Sequence, residues 1–292
     1  MNNRENTFNI VLAGSAFLFV CNVFIWNSIL FPAFGKNPEI YFFDVGQGDS
    51  QLIVLPGLNG GRPIKILSDG GPSGKILGEL SKILPPEDRY IDIVLLSHPQ
   101  LDHFGGLIEV LERYQIGAFI YNGRDGTAAA WEDLKNVLKK KNIQTVILAG
   151  GDALVYGEDK LDILSPDAEF LKSKELNDTS LVGFLKTKHV SALFVADIGE
   201  NVEEYLRNKY DIDVDILKAG HHGSRFSSSA SFLKEVSPKV AVIQVGKNRY
   251  GHPTKEALSR LSQSGAKIYR NDRDGLVRLT LGDGYVDIEK EK

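Results

Sequence analysis

Within six residues, His98-Pro99-Gln100-Leu101-Asp102-His103, the chain places two imidazoles, a carboxylate and an amide. Nitrogen and oxygen donors of these kinds suit zinc, manganese or a similar divalent ion. The run before them, Ile91 to Ser97, is short, aliphatic and β-branched, which predicts a buried strand. Phe104-Gly105-Gly106-Leu107-Ile108 then opens a helical pattern, so the donors crowd one strand-to-helix turn. A solvated polar turn is the plainer reading. Against it, the 292 residues hold only six histidines, and two of them fall here. Two more, His221 and His222, sit on a glycine-flanked turn after the apolar alternation Val214 to Leu217. Asp197 ends the apolar run Ala192 to Ala196, and Asp69 ends Ile64 to Ser68. One aspartate after a strand usually caps a turn. Four strand ends, each delivering Asp or His, form a pattern, because a sheet sets its strand termini side by side.

The order of these motifs resembles the metallo-β-lactamase fold, specifically the hydrolase domain of ComEC-like DNA-uptake competence proteins. The matching stretches are Phe42 to Ser50 (FFDVGQGDS), Asp69-Gly70-Gly71, His98 to His103, Asn177 to Val182, Ala196-Asp197-Ile198, His221 to Ser224 and Tyr250 to Pro253. The likeness covers roughly residues 39 to 285. It implies two facing sheets with helices outside, an αββα four-layer sandwich with the site at one rim. Residue by residue, it implies His98 and Gln100 on one metal, and Asp102 and His103 on a second. Asp197 would bridge both, and His221 and His222 would fill the remaining positions. Asp69 and Asp44 would support the ligands from behind. The chain departs from the pattern at Gln100, where the family carries His or Asp; an amide oxygen is the weaker donor. One tight zinc or manganese ion is expected, with a second weak or absent.

Such a site activates water and polarises a phosphoryl or carbonyl group. Asp102 is a candidate proton acceptor for that water, and His252, on a Gly-His-Pro turn, a candidate donor to the leaving group. An inert turn is an equal reading for His252. His189 is read as a solvated hairpin tip. Ser50, Ser180 and Ser224 lack the strained elbow and the following acid and base of a serine hydrolase; Ser224 is expected to touch substrate. The glycines between Asp44 and Asp49 lack the spacing of a phosphate-cradling lysine loop. Cys21 is the single cysteine, which excludes an internal disulfide and a thiolate zinc site in the hydrolase portion.

The organisation follows from composition. Residues 1–7 read as a short tail. Residues 8–34 carry no charge and exceed the roughly 20 apolar residues that span a bilayer, with Trp26 and Phe31 near the distal end. The run is longer than a signal-peptide core and ends without a small-residue cleavage site. It is therefore read as an uncleaved single-pass transmembrane helix in the cell membrane. The weak charge bias between Arg4 and Lys36 sets the hydrolase outside the cytoplasm. Residues 35–38 form a linker and 39–292 one α/β domain. Strands are expected at 39–44, 51–55, 64–68, 91–97, 159–165 and 181–186, and helices at 130–141, 201–208 and 255–263.

Substrate is less directly written. The resemblance implies a phosphodiester, single-stranded DNA first among them. A net charge of −4 argues against a broadly basic nucleic-acid surface. Lys218, Arg225, Lys247 and Arg249 nevertheless gather around the later motifs, and Lys247 and Arg249 are the expected phosphate contacts. The alternative is a catalytically impaired domain that binds DNA or an envelope partner without turnover. A β-lactam substrate is disfavoured, since the competence-type motifs dominate.

Overall fold

The structure, a computed structural model, describes residues 12–22 and 34–292. The chain divides into two compact units, Met1–Gly35 and Lys36–Lys292. In the first, residues 12–22 are helical, and Cys21 within them is unpaired. No helix of the described residues is long and apolar enough to cross a membrane. The expected anchor over 8–34 therefore gains no support, and the rest of it lies outside the described residues.

The second unit is built on two mixed sheets. Among the described residues the first has eight strands: β1 (Glu39–Phe42), β2 (Gln51–Leu55), β3 (Ile64–Ser68), β4 (Tyr90–Leu95), β5 (Gln115–Tyr121), β6 (Thr145–Ile147), β14 (Val277–Leu281) and β15 (Val286–Lys290). They lie in the order β15-β14-β1-β2-β3-β4-β5-β6. The second has seven: β7 (Ala153–Tyr156), β8 (Asp159–Ser165), β9 (Val182–Lys186), β10 (Ser191–Phe194), β11 (Ile216–Lys218), β12 (Val240–Ile243) and β13 (Lys267–Arg270). Their order is β13-β12-β11-β10-β9-β8-β7. The helices are α1 (Lys75–Ile83), α2 (Leu101–Arg113), α3 (Ala130–Lys140), α4 (Glu200–Lys209), α5 (Ala230–Val236), α6 (Lys255–Gln263) and the short α7 (Asn271–Asp274).

Alternation along the strands explains why the sheets face one another. Successive strand side chains point to opposite faces. Ala192 and Phe194 of β10, and Val240 and Val242 of β12, therefore join Ile40, Phe42, Ile53 and Ile66 of the first sheet in one buried core. Phe42 and Phe194 meet across that core with ring centroids 6.3 Å apart. The alternate residues, Leu193, Ala241 and Ile243, pack instead under Val202 and Leu206 of α4, Phe232 of α5 and Leu261 of α6. On the first sheet, Phe104 of α2 meets Trp131 of α3 edge-on at 5.2 Å, and Trp131 lies beside Tyr121 of β5. At about 25 cal/mol per Å² of apolar area removed from water, burial of these faces is the dominant stabilising term.

Strand direction decides where chemistry collects. β3 and β4 run parallel, as do β10, β11 and β12. The carboxyl ends of parallel neighbours lie together, the usual place for a site in such sheets. Asp69 follows β3, His98 follows β4, Asp197 follows β10 and His221-His222 follow β11.

Candidate metal centre

The donors converge from four strand ends and one helix start. Asp102 and His103 occupy the first turn of α2, next to Gln100 at its N-cap. Donor atoms of Asp102, His103, Asp197 and His222 all lie within 4.8 Å of one another. Three histidine nitrogens aim at one oxygen, Asp197 Oδ2: His222 Nε2 at 3.3 Å, His103 Nε2 at 3.4 Å and His221 Nε2 at 3.7 Å. His222 Nε2 also lies 3.4 Å from Asp102 Oδ2. Yet Nε2 of His98, His103 and His222 and Oδ1 of Asp197 are buried without a hydrogen-bond partner. Buried polar atoms are nearly always satisfied. Two imidazoles and two carboxylates aimed at one point are a fit for a divalent cation such as zinc or manganese.

The opposite edges of the His103 and His222 imidazoles are fixed. His103 Nδ1 lies 2.9 Å from Asp69 Oδ2, and Asp69 also accepts from the Ser97 amide at 2.8 Å and the Ser97 hydroxyl at 2.7 Å. His222 Nδ1 donates to the Gln244 carbonyl at 2.9 Å. Such partners set the tautomer and turn Nε2 towards a ligand. Lys218 and Asp49 form a buried ion pair beneath the site, and Lys218 Nζ donates to the Ala196 carbonyl at 2.9 Å. Gly48 lets this loop in: a Cβ there would meet the Asp102 carbonyl oxygen at 2.2 Å.

Backbone strain concentrates at the same place. Asp69, Ala196, His221 and His222 have φ of 59°, 46°, 47° and 53°. For residues other than glycine each such conformation costs of order 1–3 kcal/mol, and it persists where surrounding structure demands it.

Protonation follows from the mixture of burial and charge. Burial disfavours charged histidine, but Asp197 and Asp69 outweigh it and hold His103 well above its usual value. Burial is likewise outweighed at His222, here by Asp197 and Asp49. Burial would raise Asp197, but His222 and His103 hold its carboxyl well below the usual range. Burial also opposes ionisation of Asp102, and the neighbouring His222 imidazole prevails, leaving it at about 2. Burial, reinforced by the charge on His103, pushes His98 down to about 3. Burial lowers His221 and His252 as well.

Above the donors opens a cleft of about 900 Å³ whose lining includes Gln100, Asp102, His222, Lys247, Arg249 and Tyr250. His252 lines it too, with its ring 5.6 Å from that of His221. Gln100 Nε2 donates to Asn177 Oδ1 at 2.6 Å.

Three expected placements need correction. Asp44 stands apart from the histidines: its carboxylate pairs with Lys75 and Lys292, and Asp49 takes the supporting place. Ser224 is buried rather than facing the cleft, its hydroxyl accepting from the Phe226 amide at 3.3 Å. Lys218 is not a surface cation, because Asp49 requires its charge in the interior. His189 follows β9 in the turn to β10 and pairs with Asp283 at 3.1 Å. Sequence reasoning gave no site role to Asp49, Ser97 or Gln244, and read Lys218 only as one of several basic residues and Tyr250 only as part of a motif. Asp49 carried a hint, as the second carboxylate of the Asp44–Asp49 loop.

Comparison with known proteins is consistent with this geometry. The family model of the metallo-beta-lactamase superfamily matches residues 56–247. The chain belongs to that superfamily. Among relatives, competence protein ComA of Neisseria gonorrhoeae is 36% identical over 269 residues, covering 87% of this chain and 34% of that protein. Exodeoxyribonuclease WalJ of Streptococcus pneumoniae is 30% identical over 210 residues, covering 66% of this chain and 74% of that protein. The chain spans about a third of the length of the first relatives it matches. The metallo-beta-lactamase fold protein YhfI of Bacillus subtilis superposes with a TM-score of 0.54 at 15% identity, over 87% of this chain and 100% of that one, a likeness of fold. Membership in this superfamily makes a divalent-metal site and metal-dependent hydrolysis the general expectation.

Proposed function

We propose that this chain is a metal-dependent phosphodiesterase acting on nucleic acid, with single-stranded DNA as its natural class of substrate. One observation carries the reading. Asp102 and His222 of the four-donor group, with His103 and Asp197 buried behind them, line a cleft that Lys247 and Arg249 also line. The nuclease name of one relative and the competence name of another support it.

When bound, a divalent ion supplies Lewis acidity, lowering the pKa of water from 15.7 towards about 7 and neutralising charge on a phosphoryl group. His103, His222, Asp102 and Asp197 would hold it. Of this set Asp102 and His222 line the cleft; Asp102 is the more open, its side chain 33% exposed, and its low pKa keeps it ionised. It orients the attacking water and accepts its proton. Lys247 and Arg249 bind flanking phosphates as charge-assisted donors. His252, kept neutral by burial, donates a hydrogen bond to the departing oxygen.

The uncharged stretch over residues 8–34 supports a membrane-tethered enzyme, and the charge bias between Arg4 and Lys36 supports a hydrolase unit outside the cytoplasm. Extraction at alkaline pH and protease access to intact cells test that placement.

The deciding experiment uses the 292-residue chain with a bis-aryl phosphodiester and end-labelled single-stranded DNA, each with added manganese or zinc. Metal-dependent release that disappears in Asp197→Asn is expected. No release with either ion, or an unaffected Asp197→Asn, refutes the enzyme and favours the non-catalytic binding module.

A further inference from the structure

The site offers more histidine than one ion needs, and the surplus is placed unequally. Asp102, His103, Asp197 and His222 make one convergent group. His98 and His221 are left over: His221 lines the cleft, while His98 is buried, with Nε2 lacking a hydrogen-bond partner. An ion beside His98 would need further donors, and two of the polar side chains in the cleft wall, Gln100 and Asn177, are neutral amides. These are joined to each other by a 2.6 Å hydrogen bond. Whichever way the two amides are turned, one carbonyl oxygen is consumed by the bridge.

Both ends of the bridge are anchored. Gln100 is the N-cap of α2, and its carbonyl accepts from the amides of His103 and Phe104, each at 3.0 Å. Asn177 sits on a short 3-10 turn, Leu176–Thr179. The Ser180 hydroxyl closes on its carbonyl at 2.7 Å, and Asn122 holds the Thr179 carbonyl at 2.6 Å. Asp178 within the same turn is gripped by Ser173 and Asn201.

We infer that the Gln100–Asn177 bridge closes the second ion position, so that this centre binds a single divalent cation and leaves His98 uncoordinated, with Nδ1 3.1 Å from the Ser97 hydroxyl. The inference rests on the reading of the four-donor cluster as a cation site. With the Asn177 oxygen taken by the bridge, only the Gln100 amide oxygen is left, a weaker donor than the imidazole or carboxylate that such sites use for divalent ions. An imidazole or carboxylate at position 100 removes the bridge and adds the missing donor in one change.

Metal content decides the matter without reference to turnover. The 292-residue chain and its Gln100→His and Gln100→Asp variants are dialysed against manganese, and bound metal is counted by elemental analysis, with manganese spin resonance as a second readout. One ion per chain is expected in the parent, with an uncoupled spectrum. Two are expected in at least one variant whose circular dichroism matches the parent, with the altered spectrum of a coupled pair. Two ions in the parent overturn this inference alone. One ion in both folded variants also overturns it, since the bridge would then not be what excludes the second. No ion in any chain overturns it together with the proposed function.

Discussion

The ammonium of Lys218 rests against the carboxylate of Asp49 with both side chains sealed from solvent, at 0% and 1% exposure. The same ammonium holds the Ala196 carbonyl and lies 3.7 Å from Asp197 Oδ1. One cation thus ties the glycine-rich loop after β1 to the turn that delivers Asp197. Removing one partner of a buried pair leaves an uncompensated charge, at a cost of about 3–5 kcal/mol. Lys218→Met should lower unfolding free energy by that order in urea titrations. The double variant Asp49→Leu, Lys218→Met should be less damaged than the single, and a purely additive loss would contradict the pairing.

Asp69 acts on the cation site through His103. Asp69→Asn keeps the shape but weakens the acceptor that fixes the imidazole, and changes at such positions typically cost 10–100-fold in metal affinity. Competition with a chelating dye should show that fall in Asp69→Asn, with little change in Asp44→Asn, whose parent carboxylate meets Lys75 and Lys292. Equal losses in both would refute the assignment.

His98 sets an acid dependence of stability. Its folded value is about 3, against 6.5 for an exposed histidine. Between these values the unfolded chain holds the extra proton, so stability rises with pH and is lost as pH falls from 6.5 towards 3. His98→Gln in chelator-treated protein should flatten this slope by up to about 1.4 kcal/mol per pH unit. Urea unfolding at several pH values across that window measures it, and identical slopes would sink the claim. His103 and His222 work in the opposite sense. Their folded values are raised, so the stability they add is complete below 6.5 and lost only as pH climbs through those values.

The cleft rim should read phosphate and base separately. Tyr250 is largely exposed beside Arg249 and Lys247. Each lysine or arginine bound to a single-stranded phosphate contributes about 0.7 to the slope of log affinity against log salt. Lys247→Ala and Arg249→Ala should each reduce that slope, measured by fluorescence anisotropy with labelled single strands and Asp197→Asn as the non-cleaving background. Tyr250→Ala should leave the slope unchanged and weaken binding by about 1–3 kcal/mol if a base stacks on its ring.

Much of this molecule was readable in the chain because its cues are local. The strands at Gln51–Leu55, Ile64–Ser68 and Asp159–Ser165 and the helix Lys255–Gln263 fall where alternation and periodicity place them. The strand expected at 91–97 ends earlier, at Leu95, because Ser97 turns away to meet Asp69, its hydroxyl also lying 3.1 Å from His98 Nδ1. α1 and α5 are short and went unread. The pairing of β1 with β14, more than two hundred residues away, leaves no local trace either. The same distinction governs the site. His98, Asp102, His103, Asp197, His221 and His222 carry donor types in compact motifs. Lys218 looks like an ordinary cation, and only the fold reveals the buried carboxylate opposite it. Asp44 misled for the converse reason: it shares a loop with Asp49, but that loop turns Asp44 towards Lys75.

The left-handed turn through His221 and His222 bears on the rate of metal capture. A hinge already bent against its own preference has little adjusting left to do when a cation arrives. The His222 imidazole is clamped from behind by the Gln244 carbonyl, so loading need not wait for loop closure or a slow rearrangement of the chain. The slow events that remain are shedding of the ion's hydration shell and departure of the protons on His103 and His222. Capture should therefore accelerate with rising pH and vary with the water-exchange rate of the metal supplied, while solvent viscosity leaves it nearly untouched.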